Sequence, residues 1–194
     1  MKDGAGKWTV SAGSGYTGST TVNNGNLVVS GTLSGTTAVS VTGGALEIAA
    51  ADRINNAATV TMSSGTFKTG GFSETVGAFT LSGTATIDLG AGASILQLAN
   101  SSANTWSGGL SITNWSGLEA GGGTDQIFFG TDATGLTSGQ IALVSFLNPA
   151  GFAAGTYGAT QLSTGELVVV PEPGAAVSLL GGLGLLLGVR RRRK

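Results

Sequence analysis

The chain contains no cysteine and no histidine. Zinc sites built on thiolates or imidazoles are therefore excluded, and so are cysteine nucleophiles and any relay that couples serine to histidine. The lack of cysteine does not fix the redox compartment, because an exported bacterial repeat protein can do without disulfides. We expect no cofactor and no metal in this protein.

Charged residues make up only 10% of the chain and aromatic residues 6%, and there are 3 prolines. Collagen is excluded, because it needs more proline and a glycine at every third position. Disorder is disfavoured, since regularly spaced apolar residues interrupt the polar stretches. Residues 1–189 carry four basic against ten acidic side chains, which leaves no basic face for nucleic acid. The 35 glycines, set with Ser and Thr between short apolar runs, are typical of a turn-dense all-β chain.

A short pattern recurs along the first half of the chain: an apolar residue, two small residues, glycine, a small residue and another apolar residue. It reads VNNGNL at 22–27, VTGGAL at 41–46 and MSSGTF at 62–67, with a degenerate copy, LSGTAT, from Leu81. The copies begin 19, 21 and 19 residues apart. This period suits one coil of a solenoid, whose units bury their apolar faces only by stacking on each other.

Apolar residues alternate with Thr and Ser around these glycines, as at Val39 and Val41, which sends one set inward and the other outward. We therefore predict an all-β fold with a β-solenoid over residues 1–100, and a sandwich or an irregular sheet is the alternative. After residue 100 the period is lost while strand-like runs continue. Residues 101–169 are predicted to form an irregular β cap that covers the open end of the solenoid.

The C-terminal tail combines an apolar run with a basic end. Residues 174–189 carry no charge, and five cations follow: Arg190, Arg191, Arg192, Arg193 and Lys194. As a helix the run would be about 24 Å long. This is shorter than the hydrocarbon core of a bilayer, which is roughly 30 Å thick, but arginine side chains that extend to the interface can make up the difference. We predict a single transmembrane helix whose terminal cations stop transfer and stay cytoplasmic. The alternatives are a buried core helix and a basic tail that binds an acidic partner.

Pro171, Glu172 and Pro173, followed by the Gly/Leu run and the terminal Arg cluster, resemble the PEP-CTERM sorting signal of Gram-negative bacteria. The resemblance covers residues 170–194 and implies recognition of the three-residue motif by an exosortase, a membrane-embedded transpeptidase-like enzyme. It also implies an exported protein that is anchored transiently in the inner membrane and then released or attached at the cell surface. The sequence departs from the family at residues 1–10, MKDGAGKWTV, which lack the apolar region of an export signal.

A second resemblance lies in the body of the protein. Residues 4–29 are similar to an autotransporter-associated β-strand repeat, through a G-x-G-x-W-T start, a Y-T-G-x-T-T-V centre and a final G-x-L. This resemblance implies a right-handed β-helix of the passenger type. Together the two likenesses imply a non-enzymatic surface or extracellular-matrix protein, with exopolysaccharide as a further partner.

Candidate ligand contacts in the body are few. Trp106 and Trp115 stand in two W-S-G phrases nine residues apart, and they would stack on sugar rings if exposed or fill the core if buried, which is the interpretation we favour. Asp125 and Asp132 lie in GGGTDQIFFGTDATG (121–135), which resembles a calcium-binding nonapeptide but has its Asp one residue early and no second copy. Local turn bonding explains this stretch better, and no metal site is predicted. The alternative function is a glycan-binding or glycan-cleaving β-helix that uses Asp125, Asp132 or the pair of tryptophans.

Overall fold

The computed structural model describes residues 1–171 of the chain. Within them no helix reaches the length and apolarity that a membrane span requires. Glu172, Pro173, the predicted helix at 174–189 and the basic cluster at 190–194 lie outside the described residues. The elements of the described part are β1 (Lys7–Val10), β2 (Thr20–Val22), β3 (Asn26–Val29), β4 (Ala38–Val41), β5 (Ala45–Ile48), β6 (Thr59–Met62), β7 (Thr66–Lys68), β8 (Glu74–Leu81), β9 (Ala85–Asp88), β10 (Ile95–Ala99), β11 (Leu110–Thr113), β12 (Gln126–Phe129), α1 (Ser138–Ile141), β13 (Val144–Leu147), β14 (Thr156–Gln161) and β15 (Leu167–Val170).

The strands form two sheets whose buried residues belong to one hydrophobic core. The odd-numbered strands from β1 to β13, with β14 and β15 at the end, make a nine-stranded sheet, and the even-numbered strands from β2 to β12 make a six-stranded one. The chain therefore alternates between the sheets, and up to β13 each strand pairs in parallel with the strand two places earlier. This is a β-solenoid, so the predicted all-β solenoid is confirmed. A sandwich, which is built from antiparallel sheets, is ruled out.

Inward residues of successive coils stack into columns that fill the interior. Val22, Val41, Met62 and Leu81, the first residues of the four sequence repeats, are direct register partners, so one repeat is one coil. None of these four side chains, and none in the second column that the nine-stranded sheet supplies, is more than 3% exposed. Burial of each such side chain stabilises the fold by about 1.5–3 kcal/mol. The nine-stranded sheet supplies a second column, formed by Leu27, Leu46, Phe67, Ile87, Ile112 and Phe146.

The glycine of each clear repeat occupies a corner where successive coils touch. Gly25, Gly44 and Gly65 have φ angles of 70°, 68° and 76°, a conformation that residues with a Cβ disfavour. A Cβ on Gly44 would lie 2.3 Å from the carbonyl oxygen of Gly25, and one on Gly65 would lie 2.5 Å from that of Gly44. Glycine is therefore required here by both conformation and space.

Parallel stacking continues beyond residue 100, although the sequence period is lost there. β11 pairs with β9, β12 with β10 and β13 with β11, all in parallel. The pairing then becomes antiparallel, since β14 pairs with β13 and β15 with β14. The division of the chain at residue 100, and the extent of the cap over 101–169, stay predictions.

The longest strand, β8, creates a step in the six-stranded sheet. Its last residues, from Phe79 to Leu81, pair with β6, whereas the residues from Glu74 to Ala78 pair with β10. The register of β10 also shifts between Leu98 and Ala99. β10 and β12 are consequently displaced along the strand direction relative to β6, and the outer surface of the sheet is concave at this step.

Replacement of Gly44 by Ala is expected to destabilise the solenoid by about 2–5 kcal/mol. The left-handed backbone costs a residue with a Cβ about 1–2 kcal/mol, and the overlap with the Gly25 carbonyl adds about 1–3 kcal/mol. Urea unfolding followed by circular dichroism measures the loss. Gly15→Ala is the control, because a Cβ on Gly15 meets no atom within 4 Å and its φ is not positive. Equal losses in the two variants would contradict the role assigned to the corner.

Candidate functional site

A groove of about 550 Å³ lies on the outer face of the six-stranded sheet, at the step in β8. This volume falls in the range of small-molecule sites, roughly 300–1,000 Å³. Strands β8, β10 and β12 form its floor, and loops that precede β6 and follow β10, β12 and β14 form its rim. The polar and aromatic side chains that line it are Asn56, Thr75, Gln97, Asn100, Phe128, Thr131, Asp132 and Thr164.

Strand alternation fixes the floor of the groove. Thr75 of β8, Gln97 of β10 and Phe128 of β12 are register partners on three adjacent strands. Their sequence neighbours on these strands are the more buried residues, so the three side chains point outward. They form a row across the strands with a spacing of about 4.8 Å. Gln97 is exposed, and Phe128 is half-buried.

The loop after β12 holds the carboxylate of the groove. Asp132 Oδ1 accepts hydrogen bonds from the hydroxyl of Thr134 at 2.6 Å and from its backbone N–H at 2.8 Å. These bonds lower the pKa of the exposed Asp132 carboxyl, which is therefore ionised at neutral pH. The neighbouring Asn100 is also held, since its Oδ1 accepts from the backbone N–H of Ser102 at 3.0 Å. Local turns thus hold the side chains of Asp132 and Asn100 in fixed positions on this side of the rim.

The groove offers binding groups and no acid–base pair. Asp132 is the only ionisable side chain among the residues that line it, whereas glycoside hydrolysis generally uses two carboxyl groups about 5–9.5 Å apart. Within residues 1–171 no group of three or more His, Cys, Asp or Glu side chains is placed to hold a metal ion. The hydroxyl, amide, carboxylate and aromatic groups of the lining therefore suit reversible binding.

Asp125 lies apart from the groove, in the interior of the protein. It is 1% exposed. Its Oδ1 accepts from the backbone N–H of Ser94 at 3.0 Å, and its Oδ2 accepts from the backbone N–H of Ser116 at 3.0 Å and from the Ser116 hydroxyl. Both carboxylate oxygens hold two loops together, so the predicted ligand contact through Asp125 has no accessible oxygen. Of the two predicted Asp contacts, the structure places only Asp132 in the groove.

The two tryptophans do not form a surface pair. Trp115 is 1% exposed and packs edge-to-face on Phe146, with 5.2 Å between the ring centroids. Trp106 is half-buried, and its Nε1–H donates to the carbonyl oxygen of Phe79 at 3.2 Å. Its ring packs edge-on against Phe79 and Phe129. Both rings thus belong to the core packing, and Trp115 has no accessible face on which a sugar ring can stack.

Sequence reasoning did not single out Glu74, a carboxylate that is 1% exposed at the start of β8. It accepts hydrogen bonds from the backbone N–H groups of Arg53 at 2.8 Å and Ile54 at 3.1 Å, in the preceding coil. Burial raises the pKa of Glu74 to about 7, against the opposing effect of these two hydrogen bonds. The available signal was strand alternation, because Glu74 shares the inward face of β8 with Val76.

The raised pKa of Glu74 predicts that stability falls as pH rises from about 4.5 to above 7. The unfolded carboxyl ionises near its ordinary value of 4.5, whereas the folded one keeps its proton to about pH 7. In this window the folded state binds more protons than the unfolded state, so the free energy of unfolding decreases by at most about 3 kcal/mol. Urea unfolding at about pH 5 and about pH 8 measures the decline.

The Glu74→Gln variant is the comparison that isolates this residue. The variant is expected to lose the part of the pH dependence that Glu74 causes. Glu166, whose pKa is also raised by burial, contributes equally to both proteins and cancels in the difference. An identical pH slope in the variant and the wild type would show that Glu74 is not the group responsible.

In the described body, the two tryptophans are engaged in packing and the buried acids in hydrogen bonds, which leaves the groove as the candidate binding site. The groove combines concavity with exposed polar groups and a half-buried aromatic side chain, Phe128, on one sheet face. In comparisons with known proteins, no family model, curated protein or solved structure matches the chain.

Proposed function

We propose that the protein is an exported, non-enzymatic component of the bacterial cell surface or extracellular matrix, associated with exopolysaccharide. An exosortase-type enzyme recognises Pro171, Glu172 and Pro173 and cleaves near them. The protein is first anchored in the inner membrane of a Gram-negative bacterium and then reaches the surface. Its coil is right-handed, because crossovers between parallel strands of one sheet are right-handed in nearly all proteins.

The junction between the last strand and the motif is the observation that carries this proposal. β15 ends at Val170, and the motif begins at the next residue, Pro171. Residues Leu167, Val168 and Val169 are buried, whereas Val170 is 39% exposed and Pro171 is exposed as well. A cut after Pro171 removes no described strand, so the body can be released in its folded state.

The exterior of the solenoid supports a structural role rather than a catalytic one. Thr21, Ser40, Thr61 and Thr80 are register partners in one row on the six-stranded sheet and alternate with core residues. Such rows present hydroxyl groups and little charge to solvent. An elongated, weakly charged surface of this kind suits spacing and adhesion in a hydrated polymer matrix.

The tail supplies the membrane topology in this proposal. The uncharged run at 174–189 crosses the inner membrane as a helix, because backbone groups in lipid must be hydrogen-bonded within the segment. The cations at 190–194 remain cytoplasmic, which leaves the motif and the solenoid on the opposite side. These parts lie outside the described residues, and the support for them is the sequence.

A glycan-binding role is the second candidate, and the groove is the observation that favours it. Glycan cleavage is less well supported, because Asp132 has no second carboxyl in the groove with which to share acid and base roles. A third candidate is a protein that stays anchored through its tail and is never cleaved. The binding role is compatible with surface export, whereas the uncleaved anchor is not compatible with processing.

Intact-mass measurement of the protein made in its host tests the sorting proposal. The wild type is expected to end between Pro171 and Gly174, and Glu172→Ala is expected to retain Lys194 and to stay in the inner-membrane fraction. Glu119→Ala, which removes an exposed acid of the body, is the matched control and is expected to be processed normally.

Replacement of the five terminal cations by Ser tests the membrane stop separately. The variant is expected to lose its fixed orientation, because the positive cluster no longer resists translocation. Fractionation and protease accessibility of the body measure where it lies. A wild-type product that still ends in Lys194, or a Glu172→Ala variant that is cleaved as efficiently as the wild type, rules out exosortase-type processing.

A further inference from the structure

We propose that the groove binds a single chain of an uncharged polysaccharide, laid across β8, β10 and β12. The inference rests on the proposed function, since it names the matrix component that the exported body holds. Its basis is the row of three outward side chains, Thr75, Gln97 and Phe128, on three adjacent strands of the groove floor.

Phe128 supplies the apolar part of the site. The ring is half-buried, so one part is fixed by the protein while another lines the groove. An aromatic side chain fixed in this way loses little conformational entropy when a ligand binds. The C–H-bearing faces of sugar rings are apolar and pack on aromatic rings. The single aromatic ring in the lining therefore favours a sugar polymer over a wholly polar ligand.

Several hydrogen-bonding side chains of the groove are free for a ligand. Among the contacts within residues 1–171, the side chains of Asn56, Thr75 and Gln97 take part in no hydrogen bond, and all three line the groove. An amide both donates and accepts, as a sugar hydroxyl does. Thr75, Gln97 and Phe128 follow one another on adjacent strands, about 4.8 Å apart. This regular spacing matches a polymer of hydroxyl-bearing units better than an isolated small molecule.

The charge of the groove selects against anionic polymers. Its lining contains the ionised Asp132 and no Lys or Arg. The body as a whole repeats this balance, with four basic and nine acidic side chains over residues 1–171. A uronate-rich or sulfated chain would bring carboxylate or sulfate groups next to Asp132 with no cation to pair them. An uncharged chain meets no such repulsion.

A second concave surface lies at the first coil of the solenoid and competes with the groove as a site. It encloses about 320 Å³, and Trp8 and Tyr16 on its rim are 54% and 41% exposed. Its lining combines Leu27 and Leu33 of the core with Lys2 and three hydroxyl side chains, which are Ser14, Thr20 and Thr21. Nothing in the structure shows what covers this end, and it serves here as the alternative outcome of the test.

Titration of the full chain, purified in mild detergent, tests the inference. The uncharged probes are mixed-linkage glucan, xyloglucan and galactomannan, and the anionic probes are polygalacturonate and alginate. At least one uncharged probe is expected to bind, and Phe128→Ala is expected to weaken that binding by about tenfold. Phe72→Ala is the matched control, because Phe72 is a 39% exposed aromatic that does not line the groove.

Two further variants keep the test informative if Phe128→Ala unfolds. Gln97→Ala removes an exposed amide without touching the core and is expected to weaken binding several-fold. Asp132→Asn keeps the oxygen that accepts from Thr134 while removing the charge. It is expected to leave the uncharged probe bound and to improve the binding of polygalacturonate at low salt. Circular dichroism and thermal unfolding establish that each variant is folded.

Four outcomes overturn the inference. The first two are that no uncharged probe binds, and that polygalacturonate binds more tightly than any uncharged probe. The third is that Phe128→Ala and Phe72→Ala weaken binding equally. The fourth is that Trp8→Ala abolishes binding while Phe128→Ala and Gln97→Ala leave it unchanged. The last result would move the site to the first coil. Binding is measured on purified protein and does not depend on export. If binding fails while the C-terminus is processed normally, only the proposed binding site is refuted. If processing fails while binding is intact, only the proposed sorting is refuted.

Discussion

Direct contact between the backbones of successive coils constrains every other part of this molecule. At the repeat corners a glycine with positive φ lies against the carbonyl oxygen of the glycine one coil earlier, with no room for a Cβ at Gly44. Corners in contact hold consecutive strands at hydrogen-bonding distance and in a fixed register. Each inward side chain must then lie directly on the residue one coil earlier, which produces the columns that start at Val22 and Leu27. Within residues 1–171 the filled interior leaves ligands only the outer rows and the ends.

The same constraint explains why so many polar groups of this chain are structural. Where the backbone departs from the β-sheet hydrogen-bonding pattern between coils, its N–H groups lose their carbonyl partners. A buried N–H group without an acceptor destabilises the folded state. Glu74 accepts from two such groups in the preceding coil, Asp125 accepts from Ser94 and Ser116, and Glu166 accepts from Gly122 at 2.9 Å. The three buried acids among the nine in residues 1–171 are thus committed to the backbone, which removes them from the candidates for surface chemistry.

The sequence predicts the features that repeat and misses those that depend on long-range register. The corner glycines and the period-two alternation specify coil and core locally, so the solenoid follows from three copies of a six-residue pattern. The groove row has no such signal, because Thr75, Gln97 and Phe128 are 22 and 31 residues apart and become neighbours only through the pairing of β8, β10 and β12. Glu74 was missed for a different reason: alternation places it inward, whereas hydrophobicity alone assigns an acid to the surface.

The position of the groove relative to the C-terminal motif relates the proposed binding to the proposed sorting. Thr164, in the turn between β14 and β15, lines the groove, and Phe128 of its floor forms an antiparallel bridge with Glu166. The final hairpin is therefore part of the groove wall, and a cut within β15 would free the segment that supports Phe128. The motif begins one residue after β15, at Pro171. Removal of the tail at that point leaves the wall intact, so a processed protein retains the same groove as the full chain.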